Sequence, residues 1–212
     1  MKTLFKELLK KGDPIVTSGD IYHLFPRLNA NAVQAKIKRS LKSGELERLY
    51  KGVYSLNSEY FKKPIFEEKV AQAIDDSAFL SGLGALRYHN LIPEIVNYKT
   101  FFGRKSAKVS QKNIRFEIKK IPLDQINFGV ESVSVAGTPM RIADPVRAIM
   151  DALIEQNLSP KNRHQICSYF RIDEDEAESI HWEKASLYAY KFRNNRLAKQ
   201  IATAMMNDSV GN

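Results

Sequence analysis

This sequence of 212 residues has one cysteine, Cys167, and one tryptophan. A single cysteine cannot close an internal disulfide, so the disulfide-stapled secreted class is excluded and a reducing compartment is expected. There is no run of 18 apolar residues, so no transmembrane helix is expected. The chain starts Met1-Lys2-Thr3-Leu4-Phe5-Lys6-Glu7, without an apolar core or a small-residue cleavage site, so no secretory leader is expected and the cytoplasm is. No Gly-x-Ser-x-Gly elbow occurs, and Cys167 has no evident activating neighbour, so nucleophilic catalysis has no visible constellation. Among the histidines His23, His89, His164 and His181, only His164-x-x-Cys167 has ligand-like spacing. A structural zinc needs four such ligands, so neither a metal nor any other cofactor is expected.

The most informative absence is local. Between Pro26 and Gly44 there is no acid. Residues 1–63 carry 13 Lys/Arg against 6 Asp/Glu, whereas residues 64–212 carry 20 against 18. The formal net charge of +9 is therefore concentrated at one end. A positive field of that kind suits a polyanion, with nucleic acid as the leading class.

The elements of residues 1–63 read as three helices and a hairpin. Leu4, Phe5, Leu8 and Leu9 recur at helical spacing over about residues 3–11, and Gly12 and Pro14 end that helix. Ser18 is a plausible N-cap for a second short helix that stops before Pro26. A third runs from near Asn29 to Ser43, with Gly44 as its terminator. On a helical wheel Val33, Ile37, Ser40 and Leu41 share one side, and Asn31, Ala35, Lys38 and Lys42 the other, flanked by Gln34 and Arg39. Amides, cations and a small residue are the types that read base edges and hold phosphates in a major groove. Residues 45–56 place Lys51-Gly52 between two β-prone runs, which predicts a hairpin with Arg48 and Lys51 near its tip. Three helices and a basic-tipped hairpin predict a winged helix-turn-helix, with Asn31, Gln34, Lys38, Arg39, Lys42, Arg48 and Lys51 as candidate contacts to duplex DNA. The alternative is a winged helix used for protein contacts.

A junction is expected at residues 60–64, which divides the chain into domains 1–63 and 64–212. The second part predicts α+β: a helix around Phe66 to Ile74, strands at 78–80, 98–102 and 114–119, a hairpin over 133–142, and helical character from Ser159 to Met206. Its sheet is expected to be small and mostly antiparallel. Asp144 as N-cap, Pro145 at the first helical position and the stripe Val146, Ile149, Met150, Leu153 and Ile154 give its clearest helix. Overall the fold class is α+β.

Three motifs in order resemble one family. Arg48-Leu49-Tyr50-Lys51-Gly52-Val53-Tyr54 is similar to the wing of AbiEi-type antitoxins, the transcriptional-regulator halves of type IV toxin–antitoxin, phage-defence operons. The segment from Leu80-Ser81-Gly82 to Tyr88-His89-Asn90-Leu91 resembles the family's Ser-x-x-(Ser/Thr)-Ala-Leu-x-x-His-Gly-Leu helix. Gly84 stands where the family has a hydroxyl residue and Asn90 where it has glycine. Thr138-Pro139-Met140-Arg141-Ile142-Ala143-Asp144 resembles its Thr-Pro-x-Arg segment. The resemblance spans about residues 1–155. It implies a bacterial repressor that binds its own promoter. Its C-terminal domain would neutralise a nucleotidyltransferase-like toxin, in many systems without a stable complex.

Two other classes are open at this level. Glu117-Ile118-Lys119 puts a carboxylate and an ammonium on one strand face, as a Glu-x-Lys nuclease does, with Asp75 and Asp76 as the upstream acids. A nucleotidyltransferase is disfavoured, because Ser81-Gly82 is followed by no Asp-x-Asp pair. Residues 104–120 form a second basic cluster, with Arg104, Lys105, Lys108, Lys112, Arg115, Lys119 and Lys120 against Glu117 alone. That surface could extend a DNA footprint, meet RNA as an RNA-binding module, or face an acidic protein.

Overall fold

A computed structural model describes residues 3–111, 113–135, 138–192 and 195–208. The chain forms two compact units: Met1–Asp76 with Val109–Ile114, and Ser77–Lys108 with Arg115–Asn212. The fold class is α+β. Among the described residues no helix is long and apolar enough to cross a membrane.

The first unit runs α1 (Thr3–Lys11), β1 (Ile15–Thr17), α2 (Ser18–Leu24), α3 (Ala30–Lys42), β2 (Leu46–Tyr50), β3 (Val53–Leu56) and α4 (Glu67–Ile74). Its strands lie in the order β1-β3-β2, all antiparallel. The core gathers Leu4, Phe5 and Leu8 from α1, Val16, Ile21 from α2, Val33 and Ile37 from α3, and Leu46, Tyr54 and Leu56 from the hairpin. Burial of each such side chain stabilises by about 1.5–3 kcal/mol, so the apolar spacing of three short helices suffices to dock them. Local signals set the ends. α2 is capped by Thr17, not Ser18: the Thr17 hydroxyl accepts from Asp20 N while the Asp20 carboxylate accepts from Thr17 N, a reciprocal capping box. Ser18 is the first helical residue. Asn29 caps α3 by accepting from Ala32 N at 2.9 Å. Gly52 turns the hairpin at φ 78°, a conformation that favours glycine. Helix α4 packs on β1 and β3 and holds Asp13 through Lys69 at 2.9 Å, so it belongs to this unit although it lies beyond the junction expected at residue 63.

The remaining elements are β4 (Phe79–Ser81), α5 (Gly82–Tyr88), β5 (Lys99–Gly103), β6 (Ala107–Gln111), β7 (Ile114–Lys120), β8 (Val130–Val135), β9 (Thr138–Ala143) and α6 (Pro145–Glu155); they belong to the second unit except for Val109–Gln111 of β6 and Ile114 of β7, which are grouped with the first. Four short helices follow: α7 (Arg163–Phe170), α8 (Glu174–Glu178), α9 (Lys184–Lys191) and α10 (Arg196–Met206). The six strands lie in the order β6-β7-β5-β4-β9-β8. The sheet is mixed: β4 runs parallel to β9 and β5 parallel to β7, while β4–β5 and β8–β9 are antiparallel. Alternation identifies strands such as β7, where Ile114, Phe116 and Ile118 are buried, but it carries no information about which strands are neighbours. Strand β6 has one buried side chain, Val109, among polar ones, and the sequence pattern passed over it. The turn residues Ala136 and Gly137 of the expected hairpin lie outside the described residues.

The two motifs of this unit meet through the β4–β9 pair. Ser81 stands at the N-cap position of α5 without a capping bond from its side chain. Its hydroxyl instead donates to Asp151 at 2.7 Å, seventy positions away. His89 ends α5 and bonds the Ala143 carbonyl through Nε2 at 2.8 Å. Asn90 adopts φ 58°, the left-handed geometry for which asparagine is the best substitute for glycine. Asp144 caps α6 by accepting from Arg147 N at 2.9 Å, and also accepts from the Tyr188 hydroxyl. Arg147 is fully buried. Its Nε donates to Asp151 at 2.8 Å and its Nη1 to the carbonyls of Gln125 and Phe128, both at 3.1 Å. The guanidinium lies 4.1 Å from the Phe128 ring centre, 5.0 Å from Phe192 and 5.2 Å from Phe79. Gly129, at φ 61°, leaves room for this group, since a Cβ there would come within 2.8 Å of the Arg147 Cβ.

Candidate nucleic-acid interface

The outer face of α3 is built by what its inner face buries. Val33, Ile37 and Ser40 point into the first unit, and Ser40 bonds the buried Glu45 at 3.1 Å. That fixes the helix rotation. Asn31, Gln34, Ala35, Lys38, Arg39 and Lys42 are then all exposed, as the wheel predicts. Arg39 Nε donates to the Ala35 carbonyl at 3.2 Å, which lays this side chain along the helix. Lys36, outside the predicted set, is half-buried with its ammonium 4.9 Å from the Phe25 ring centre. The face that remains is five polar or cationic side chains, one alanine and no carboxylate.

The hairpin supplies two further cations. Arg48 is exposed on β2, and its guanidinium lies 5.8 Å from the Tyr54 ring centre. Lys51 is exposed at the turn, whose position is held by the Ser18 N–H donating to the Gly52 carbonyl at 2.8 Å. α2 therefore anchors the hairpin as well as leading into α3.

Sequence reasoning missed Tyr22. This half-buried residue of α2 packs against the core of the first unit, and its hydroxyl oxygen accepts from Gln34 Nε2 at 3.2 Å. The two lie twelve positions apart on different helices. No single-helix wheel can show such a contact; only the α2–α3 packing angle creates it.

The second basic cluster is less uniform. Arg104, Lys105, Lys108 and Arg115 are exposed, and Lys112 lies outside the described residues. Lys119 is half-buried and paired. Its ammonium binds Glu155 of α6 at 2.6 Å and Glu117 at 3.3 Å. Burial alone would lower its pKa, but the two carboxylates outweigh burial and raise it above the ordinary lysine value. The ammonium and two carboxylates sit beside an open cavity of about 240 Å³, whose walls include Leu83, Tyr98, Thr100, Glu117, Glu155 and Gln156. Burial, and then the Glu117 carboxylate, push the Tyr98 phenol up. Glu117 and Lys119 thus share a strand face, with Glu155 of α6 as an acid beside them. Among the described residues no group of three or more histidine, cysteine or acidic side chains is arranged to hold a metal ion. Cys167 is half-buried and burial pushes its thiol up, while His164 is exposed.

No protein-family model matches this sequence, and no curated protein is significantly similar to it.

Proposed function

We propose that the first unit is a winged helix-turn-helix and that the protein is a DNA-binding transcriptional repressor. The observation that carries this reading is the outer face of α3, where Asn31, Gln34, Lys38, Arg39 and Lys42 are exposed together with no acid among them. The element order supports it: a helix, a strand, two helices and a hairpin, with the first strand paired to the hairpin. In this reading α3 enters the major groove. The hairpin is the wing, and Arg48 and Lys51 reach phosphate from it. The operator is a site in the protein's own promoter. The resemblance of the wing, the Leu80–Leu91 helix and the Thr138–Asp144 segment to AbiEi-type antitoxins extends the reading to neutralisation of a nucleotidyltransferase-like toxin.

The test is fluorescence anisotropy on duplex DNA from the protein's own promoter. Lys38→Ala combined with Arg39→Ala should weaken binding by about 1–3 kcal/mol for each base edge that goes unread. The slope of log K against log salt should fall by about 0.9 for each phosphate no longer neutralised. Unchanged affinity in this double variant overturns the recognition-helix assignment. A preference for RNA, or cleavage of the duplex on addition of Mg²⁺, would favour the RNA-binding or nuclease reading instead. The same variant, co-expressed with the product of the neighbouring reading frame, should still rescue growth, because α3 is not part of the unit assigned to toxin neutralisation.

A further inference from the structure

We propose that Gln34 reads one adenine of the operator and that Tyr22 positions its side chain for doing so. This rests on the winged-helix reading and names the base that α3 recognises.

Gln34 is exposed in the first half of α3, the part of a recognition helix that reaches base edges. Adenine presents an N7 acceptor and an N6 donor side by side in the major groove, and a carboxamide matches both at once. An unconstrained glutamine side chain must be ordered before both of its amide atoms can meet one base edge. Here one Nε2 hydrogen is given to the Tyr22 hydroxyl oxygen at 3.2 Å. The amide keeps its second N–H and its carbonyl, the pair that adenine needs. Tyr22 itself is placed by packing on the first unit's core. The bond holds the Gln34 side chain in place before any ligand arrives, which lowers the ordering cost of binding. Asn31, one turn earlier, is also an exposed carboxamide. It serves as the internal control, since its reading position must differ from that of Gln34.

The experiment is selection of binding sites from a random duplex pool with the full-length protein, followed by affinities for each single-base variant of the selected site. One position should specify adenine. Gln34→Ala should level the four bases there, removing a discrimination of about 5- to 150-fold, and leave other positions unchanged. Gln34→Glu should move the preference at that position to cytosine, whose N4 donates to a carboxylate. Tyr22→Phe keeps the packed ring and should reduce discrimination at that position alone, by about 2- to 12-fold. Asn31→Ala should alter a different position. A selected site in which no adenine position responds to Gln34→Ala overturns the inference while leaving the DNA-binding reading in place. A Tyr22→Phe variant that weakens all sequences equally, or none, overturns the positioning role. A pool from which no duplex is enriched overturns the winged-helix reading, and this inference with it.

Discussion

Arg39 and Arg147 show two opposite uses of one residue type. Arg39 lies on the outer face of α3 in the first unit, exposed and laid back along its own helix. Arg147 lies inside the second unit with no exposed surface, its charge met by Asp151, two carbonyls and three aromatic faces. The first unit folds on its apolar core and keeps Lys38, Arg39 and Lys42 of α3 outside. The second folds around a cation. Exposed cations add little to stability and can exchange their partners for a polyanion. A buried one must be satisfied by the fold and is then committed to it. Positive charge is therefore informative about binding only once its burial is known.

The sharpest way to break this contrast is Arg147→Ala. It leaves the Asp151 carboxylate buried with Ser81 as its remaining partner, and such a loss costs about 3–5 kcal/mol. Fluorescence of the single tryptophan, the buried Trp182, reports the second unit's unfolding directly. Arg147→Met together with Asp151→Leu should recover part of the loss, because an apolar pair of similar volume removes both charges. By contrast Lys38→Ala with Arg39→Ala should leave unfolding within about 0.5 kcal/mol of wild type. If Arg147→Ala unfolds no more readily than that surface variant, the distinction between inward and outward charge fails.

The outward half of this contrast was legible in the sequence, and the inward half was not. α3 could be placed because its apolar residues repeat at helical spacing between Asn29 and Gly44, and its outer face follows from that rotation. The helix start at Asp144-Pro145 was equally clear, since a cap and a proline act locally. Arg147 sits two residues further on, and nothing local marks it as buried. Its partners Gln125, Phe128 and Phe192 come from distant segments, as does Ser81 on Asp151. The parallel β4–β9 pairing that brings these segments together is a property of the sheet order. Lys119 shows the same limit in miniature: counted by charge it joins a basic cluster, yet Glu155 from α6 pairs with it.

A smaller effect tests whether the first unit has an inward charge network of its own. Asp20 is such a candidate. Burial pushes its carboxyl up, but hydrogen bonds from Lys11 and from the Thr17 side chain and backbone outweigh burial and hold it below the usual 3.8. A depressed folded pKa contributes stability that is present above pH 3.8 and lost as pH falls through the lower folded value. Asp20→Asn leaves the Thr17 N–H an acceptor but removes the charge, which should cost about 0.5–1.5 kcal/mol at neutral pH, the net worth of a typical hydrogen bond. Hydrogen exchange of the α2 amides should show the loss, and the gap between variant and wild type should close in acid. A gap that persists unchanged at low pH would mean that the carboxylate charge contributes nothing to the cap.

The smallest expected effect lies at Lys119, which stands between the two uses. It is partly exposed, as surface cations are, and carries two carboxylate partners, as buried ones do. If the partners dominate, Lys119→Ala removes an ion pair of the partly exposed kind, worth about 0.2–1 kcal/mol. It should then leave the duplex salt slope as in wild type, because an ammonium already held by Glu117 and Glu155 releases no counterion from DNA. The pH dependence gives a second reading. The folded pKa is raised, so the contribution is complete below the ordinary value of 10.5 and is lost as pH rises through the folded one. Wild type should therefore lose stability more steeply than Lys119→Ala above pH 10.5, and the two should converge in alkali. A salt slope reduced by about 0.9 in the variant would instead count Lys119 among the outward charges. Its ion pairs with Glu155 and Glu117 would then have to open when DNA binds, and the Arg39 pattern rather than the Arg147 pattern would describe it.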